Sequence, residues 1–207
     1  MSKYSFIYNN KAVHGNNYGE NYVSEFCRVI DEVQNKKTNS ILEYGSGITS
    51  LILLDYCTKW NSSLFVTVDN NKEYQEAVFF DREMPTFFKP IAISLSGECK
   101  SDRDLSLNYS TCPLSFGTKF DIIFIDGRRR LECAFIAAIL SHESTTVVLH
   151  DYRRLRYQPA LSLFDIIEDG SQFRTMRLKY EFQNTFNKKF EMLNNINRML
   201  DWYNVAH

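Results

Sequence analysis

The chain has 207 residues, with 24 Lys and Arg against 25 Asp and Glu, a formal net charge of −1 and 44% hydrophobic residues. At ~150 residues per domain this is one domain, long enough to bury a core without disulfides or structural metals. The charge balance excludes a globally basic nucleic-acid binder and an acidic tail protein, and only 8 Gly and 4 Pro exclude collagen-like and Pro/Gly-rich disordered chains. The five cysteines, Cys27, Cys57, Cys99, Cys112 and Cys133, are odd in number and form no C-x-x-C pair. That pattern points to reduced thiols in a reducing compartment. Met1–Asn10 holds no apolar signal segment, and no apolar run approaches the ~18 residues of a membrane span. A cytoplasmic protein without a membrane partner is expected.

Tyr18–Gln34 has the periodicity of an amphipathic helix. Ser40–Tyr44 (SILEY) predicts a buried strand and Thr49–Lys59 a helix. Ser63–Asp69 (SLFVTVD) predicts the second strand, followed by a helix over Lys72–Arg82. Pro90–Leu95 (PIAISL) predicts the third strand and Lys119–Asp126 (KFDIIFID) the fourth. Leu131–Leu140 predicts a helix with an apolar face, and Thr145–His150 (TTVVLH) a fifth strand. Beyond Asp151, Leu161–Glu168 reads as helical, Phe173–Phe182 as a strand, and Phe190–Tyr203 as a helix or a last strand. Near-continuous apolar strands alternating with helices predict an α/β fold: a doubly wound, mostly parallel sheet with helices on both faces. The division expected is one domain, with residues 1–39 a helical cap, 40–160 a ligand-binding core and 161–207 completing the sheet.

Ligands of such sheets bind beyond the carboxyl ends of the strands. Those ends hold an unusual share of the Gly, Asp and Arg residues. Glu43–Ser50 reads E-Y-G-S-G-I-T-S directly after a strand and opening a helix. Two glycines two apart let the backbone turn sharply, and the helix start behind them offers free N–H groups. Asp69 closes the next strand, where a carboxylate can accept bonds from ribose hydroxyls. A dinucleotide fingerprint needs a third glycine where this chain has Ser50.

An acid before G-x-G, with a second acid ending the next strand, resembles class I S-adenosylmethionine-dependent methyltransferases. Glu43, Gly45 and Gly47 match that family's acid-x-G-x-G motif, and Thr49 or Ser50 stands for its third small residue. Phe124–Arg130 (FIDGRRR), the helix start L-E-C-A and Val147–Tyr152 (VVLHDY) resemble a methyltransferase-like subgroup with LEYGSG, DGRxR and HDY motifs. The similarity covers about residues 40–160. It implies a Rossmann-like fold and S-adenosylmethionine as cofactor. Glu43, Gly45, Ser46, Gly47, Thr49, Asp69 and Asn70 would then bind it, with Gly97 or Glu98 flanking the adenine.

Methyl transfer requires an acceptor held in line with the methyl group and a route for its proton. Asp126, His150 and Asp151 end the fourth and fifth strands and are the candidate catalytic groups, with Arg128 beside them. They could act as a general base, or Asp126 and Asp151 could bind a divalent metal through oxygen. Catechol-type O-methyltransferases carry an acidic pair after strand five. Here His150–Asp151 stands in its place, a departure from the metal-binding pattern. Arg128, Arg129 and Arg130 follow strand four, and Arg153, Arg154 and Arg156 follow strand five. Arginine forks suit phosphate or carboxylate, so a small anionic or glycan-like acceptor is expected. The chain lacks a separate basic or aromatic nucleic-acid module. It also lacks any Pro-Pro of the base-amino methyltransferases. The reading is O-directed methyl transfer. Its rivals are a catalytically silent binding protein on the same fold and a nicotinamide-dependent oxidoreductase.

Overall fold

A computed structural model describes residues 5–14, 21–33, 39–95 and 103–206, with side chains outside 14, 103–106 and 196–206. The hairpin β1 (Ser5–Tyr8) and β2 (Lys11–His14) precedes α1 (Tyr22–Val33). Then come β3 (Ser40–Tyr44), α2 (Ile48–Trp60), β4 (Leu64–Asp69), α3 (Lys72–Phe79), β5 (Phe88–Ala92) and α4 (Arg103–Thr111). β6 (Phe120–Ile125), α5 (Arg130–Leu140), β7 (Ser141–His150) and the short α6 (Gln158–Leu161) follow. The chain ends with β8 (Phe164–Asp169), β9 (Phe173–Leu178) and the long α7 (Tyr180–Ala206).

The seven-stranded sheet has the order β5-β4-β3-β6-β7-β9-β8. Its first five strands are mutually parallel, as the apolar runs predict. β9 is antiparallel to both β7 and β8, so a reversed strand is wedged into one end. A six-stranded dinucleotide fold has no such insertion. Alternation along each strand feeds two cores. Leu42, Tyr44, Val66, Val68, Ile123 and Ile125 face α5 and its neighbours. Ile41, Phe65, Ile122, Phe124 and Val148 face α1, α2 and α3. Among the described residues, no helix is long and apolar enough to cross a membrane, and Cys27, Cys57, Cys112 and Cys133 form no disulfide. Cys99 lies outside them.

Several boundaries depart from expectation. Leu161–Glu168 is not helical: β8 occupies most of it and hairpins with β9. A bulge between Ile166 and Glu168 breaks the two-residue alternation that would have revealed this edge strand. Phe190–Tyr203 is helical throughout, inside α7. The third strand is β5, starting at Phe88 and ending at Ala92 rather than spanning Pro90–Leu95, and β7 starts at Ser141 rather than Thr145. The segment expected to be a purely helical cap also contains the β1–β2 hairpin. Its turn is Asn9–Asn10, both with positive φ (50° and 58°), the conformation of tight hairpin turns in which Asn is favoured.

The central strands β3, β4 and β6 stay bonded past their carboxyl ends. The Tyr44 carbonyl accepts both the Asp126 and Gly127 N–H groups, while the Gly45 N–H turns to the Val68 carbonyl. The turns after β3 and β6 then touch backbone to backbone. A Cβ on Gly127 would sit 2.2 Å from Tyr109 Oη and 2.7 Å from Gly45 N. A Cβ on Gly45, whose φ is +99°, would sit 2.5 Å from Gly127 N. Gly127→Ala should therefore destabilise the fold by roughly 1–3 kcal/mol, the scale of an overpacked interior. The expected sign is a lower urea midpoint at unchanged m-value. A midpoint equal to wild type would show that the turns are not in contact.

Candidate functional site

Strand parity builds the site. Residues Ile41 and Glu43, Phe65, Thr67 and Asp69, Phe124 and Asp126, and Val148 and His150 share the α1–α3 side of the sheet. Apolar residues fill that side toward the strand starts. Polar residues take over where the strands end, and there a cleft of about 490 Å³ opens. Of the residues singled out in the sequence, Gly45, Ser46, Gly47, Thr49, Asp69, Asn70, Asp126, Arg128 and His150 line it, and Gly127 joins them. Tyr22, Asn71, Tyr74 and Arg130 complete its polar wall.

Glu43 is not in that wall. It is fully buried beneath the glycine turn. Thr49 Oγ1 donates to one carboxylate oxygen at 2.7 Å; Ser50 Oγ and Thr67 Oγ1 donate to the other at 2.5 and 2.7 Å. The expected cofactor contact is thus a tether joining β3, β4 and the start of α2. Ser50 Oγ also accepts the Gly47 N–H at 2.9 Å, which fixes the turn from behind. Burial pushes the Glu43 carboxyl up to about 8, against the pull of the three hydroxyls.

Asp69 lies at the rim. Its oxygens accept the Ser46 N–H and the Asn71 N–H, each at 2.8 Å. A carboxylate has lone pairs beyond those two bonds. Burial raises its pKa, while those backbone donors and the Arg128 charge oppose the rise. Asn71 caps α3 by accepting the Tyr74 N–H, and its amide reaches Tyr8 Oη at 3.3 Å, so the hairpin packs beside the cleft. Gly47 faces open space: a Cβ there would meet only Tyr74 Oη, at 3.7 Å. Gly97 and Glu98 lie outside the described residues.

At the other end, Asp126 is surrounded by donors. Tyr22 Oη donates to one oxygen at 2.7 Å, and His150 Nδ1 lies 2.6 Å from the other. Arg130 lies 2.9 Å from that second oxygen and also donates to the carbonyls of Asp126, Gly127 and His150. It ties the ends of β6 and β7 together. Burial would lower the His150 pKa, but the hydrogen bond and charge of Asp126 outweigh it and the pKa is raised. Asp151, with a left-handed φ of 59°, is not in the cleft wall. Its carboxylate pairs with Arg130 at 3.3 Å and, more closely, with Arg154. Asp126 and Asp151, the two carboxylates that could bind a metal, are thus each engaged by arginine. A guanidinium sits between Asp126 and Asp151, and a phenol and an imidazole also bond to Asp126. No cluster of three metal-ligating side chains occurs among the described residues.

Tyr22, like Tyr74, is a cleft residue that sequence reading missed. It lies 104 positions from its carboxylate partner, and an aromatic at the start of an amphipathic helix reads as core. Its ring also meets His150 edge-on, with centroids 5.3 Å apart.

No family model and no curated protein matches the sequence. Solved structures do resemble the fold. A methyltransferase-like protein from Silicibacter pomeroyi aligns at TM-score 0.57 and 13% identity, over 81% of this chain and 93% of that one. The N-methyltransferase NodS from Bradyrhizobium japonicum, solved with S-adenosyl-L-homocysteine, aligns at TM-score 0.53 and 9% identity, over 77% and 88%. The calicheamicin methyltransferase CalS11 aligns at TM-score 0.52 and 9% identity, over 76% and 80%. The chain has the class I methyltransferase fold.

The Glu43 tether carries a pH signature. Its folded pKa of about 8 lies above the ordinary 4.5. Stability from this group is fully present below the lower value and is lost as pH rises through the higher one. Glu43→Gln should remove that loss. The drop in unfolding free energy from about pH 5 to about pH 8, measured by urea denaturation, should be smaller than in wild type. Identical drops would mean that Glu43 ionises normally inside the fold.

Proposed function

We propose that this chain is an S-adenosylmethionine-dependent methyltransferase that methylates an oxygen of a small anionic or sugar-like acceptor. The observation that carries the reading is the pairing of Gly47 with Asp69. A side-chain-free turn faces open cleft, and an acid stands at the tip of the next strand. The cleft volume falls within the range of small-ligand sites. The class I fold agrees with this cofactor. The antiparallel β9 and the tethered Ser50 disfavour a nicotinamide dinucleotide.

Bound S-adenosylmethionine would supply an electrophilic methyl group on a sulfonium. The residues here supply position and proton handling. Ser46, Gly47 and Thr49 form the floor, and the free lone pairs of Asp69 face ribose hydroxyls. At the acceptor end, Asp126 accepts from His150 Nδ1, which leaves Nε2, 3.4 Å from the Gln172 side-chain amide, as the basic nitrogen of the neutral ring. Nε2 would take the proton of the acceptor hydroxyl, so that its oxygen can receive the methyl group that the cofactor would supply. Asp126 is anchored by Tyr22 and Arg130; Asp151 contacts Arg130, and its charge also raises the His150 pKa through space. The neighbours include an N-methyltransferase, so oxygen as the target is read from the His150–Asp126 pair, since a hydroxyl needs a base.

Calorimetric titration should show S-adenosylhomocysteine binding and no NAD binding. Gly47→Ala should weaken S-adenosylhomocysteine by about tenfold or more, because the added methyl displaces the ligand. Its melting temperature should match wild type. Undiminished affinity would remove the glycine turn from the cofactor site. Methyl transfer itself separates an enzyme from a silent binder on this fold.

The base has its own test. His150 must be neutral to act, so turnover should rise with pH through a limb above the ordinary imidazole value of 6.5. Asp126→Asn removes the group that outweighs burial, so the limb should move to lower pH while the plateau falls by roughly 10²–10⁴. A limb unmoved by Asp126→Asn would exclude His150 as the titrating base.

A further inference from the structure

A second cavity, of about 730 Å³, adjoins the cleft and shares Asn70, Gly127, Arg128 and Arg130 with it. Its charged wall consists of Arg128, Arg129, Arg130, Arg154, Arg156 and a single acid, Glu132. Three of the five arginines are already matched. Arg129 pairs with Glu132 at 3.6 Å, Arg130 with Asp126 and Asp151, and Arg154 with Asp151. Arg128 and Arg156 are exposed and form no ion pair with a carboxylate among the described residues. Arg128 acts on Asp69 only through space. Arg156 is steadied by Tyr157, stacking over its ring at 5.0 Å and donating to its hydroxyl at 2.9 Å. In a chain of net charge −1, this concentration of cations is local. Like charges held together in a concavity cost energy that an anion recovers.

We propose that this cavity holds the phosphate group of a phosphorylated methyl acceptor. Two guanidinium groups without carboxylate partners match a phosphate monoester, which carries about two negative charges at neutral pH. Guanidinium forks hold its oxygens bidentately. Arg130 belongs to both cavities, so a phosphate held here places the rest of its molecule toward His150. The acceptor role rests on the methyltransferase reading above; the anion site does not.

The test is calorimetry on the full chain with inorganic phosphate, with and without saturating S-adenosylhomocysteine, in wild type and Arg156→Gln. Arg156 lines only the second cavity. Phosphate should bind in both conditions. Arg156→Gln should weaken phosphate by about tenfold, the scale of one lost charge-assisted hydrogen bond. Its S-adenosylhomocysteine affinity should stay within about twofold of wild type. A sugar phosphate should bind at least as tightly as inorganic phosphate, and the parent sugar should not bind. A sugar phosphate weaker than inorganic phosphate would assign the site to the free ion and overturn the acceptor role. Failure of phosphate to bind would overturn the proposal. So would its displacement by S-adenosylhomocysteine, or an equal loss of both ligands in Arg156→Gln, since the arginines would then belong to the cofactor. Phosphate binding without S-adenosylhomocysteine binding would instead defeat the methyltransferase reading, and the acceptor role with it, leaving an anion site alone.

Discussion

Two turns leave the central strands at the same point, and they fit together because neither carries a Cβ. The Gly45–Gly127 contact sets the distance between the ends of β3 and β6. From that distance follows the rest of the site. The glycine turn after β3 can pass under a ligand only if the turn after β6 stays close behind it. Tyr109, fully buried, props Gly127 from the opposite side of the sheet. The tether from Glu43 to Thr49, Ser50 and Thr67 then fixes the turn from beneath. Backbone contact, hydroxyl tether and aromatic prop converge on three residues, Gly45 to Gly47. The floor of the cleft is thus organised before any ligand arrives, which lowers the ordering cost of binding.

The parallel half of the sheet was legible because strands buried on both faces must be apolar at nearly every position. SILEY, LFVTVD and FDIIFI have no solvent face to encode. The reversed half was not. β8 exposes Asp165, Ile166 and Ile167 in succession, so its residues carry no alternation, although the Asp169–Gly170 pair before β9 is a hairpin signal in its own right. The site divides the same way. Asp69, Asp126 and His150 sit at strand ends, and strand ends can be read from the sequence. The fate of Glu43 depends on register, since Thr67 stands directly opposite it on β4. Tyr22 depends on how α1 crosses the sheet, which no local pattern reports.

Charge at the carboxyl edge is sorted by depth. Nearest the sheet, Asp126 is paired with Arg130 and accepts from His150, and each member of that cluster has several partners. Further out, Asp151 serves both Arg130 and Arg154. Outermost, the arginines outnumber the acids. Buried ion pairs left incomplete cost several kcal/mol, so complete pairing inside and surplus outside is the arrangement that stability permits. It also places unused positive charge where a solute can reach it.

The two margins of the sheet differ from its interior in what they offer a neighbouring chain. At one margin β5 carries Pro90, which has no N–H to give. At the other, β8 bends at its bulge and carries Asp165, Glu168 and Asp169. An incoming strand would find a missing donor on one side and a kinked, acidic ladder on the other. The exposed Ile166 and Ile167 would otherwise make β8 a template for stacking. Crowded solutions of this protein should accordingly resist sheet-to-sheet aggregation. Straightening β8 by deleting one residue of the bulge is the change that would expose it to polymerisation.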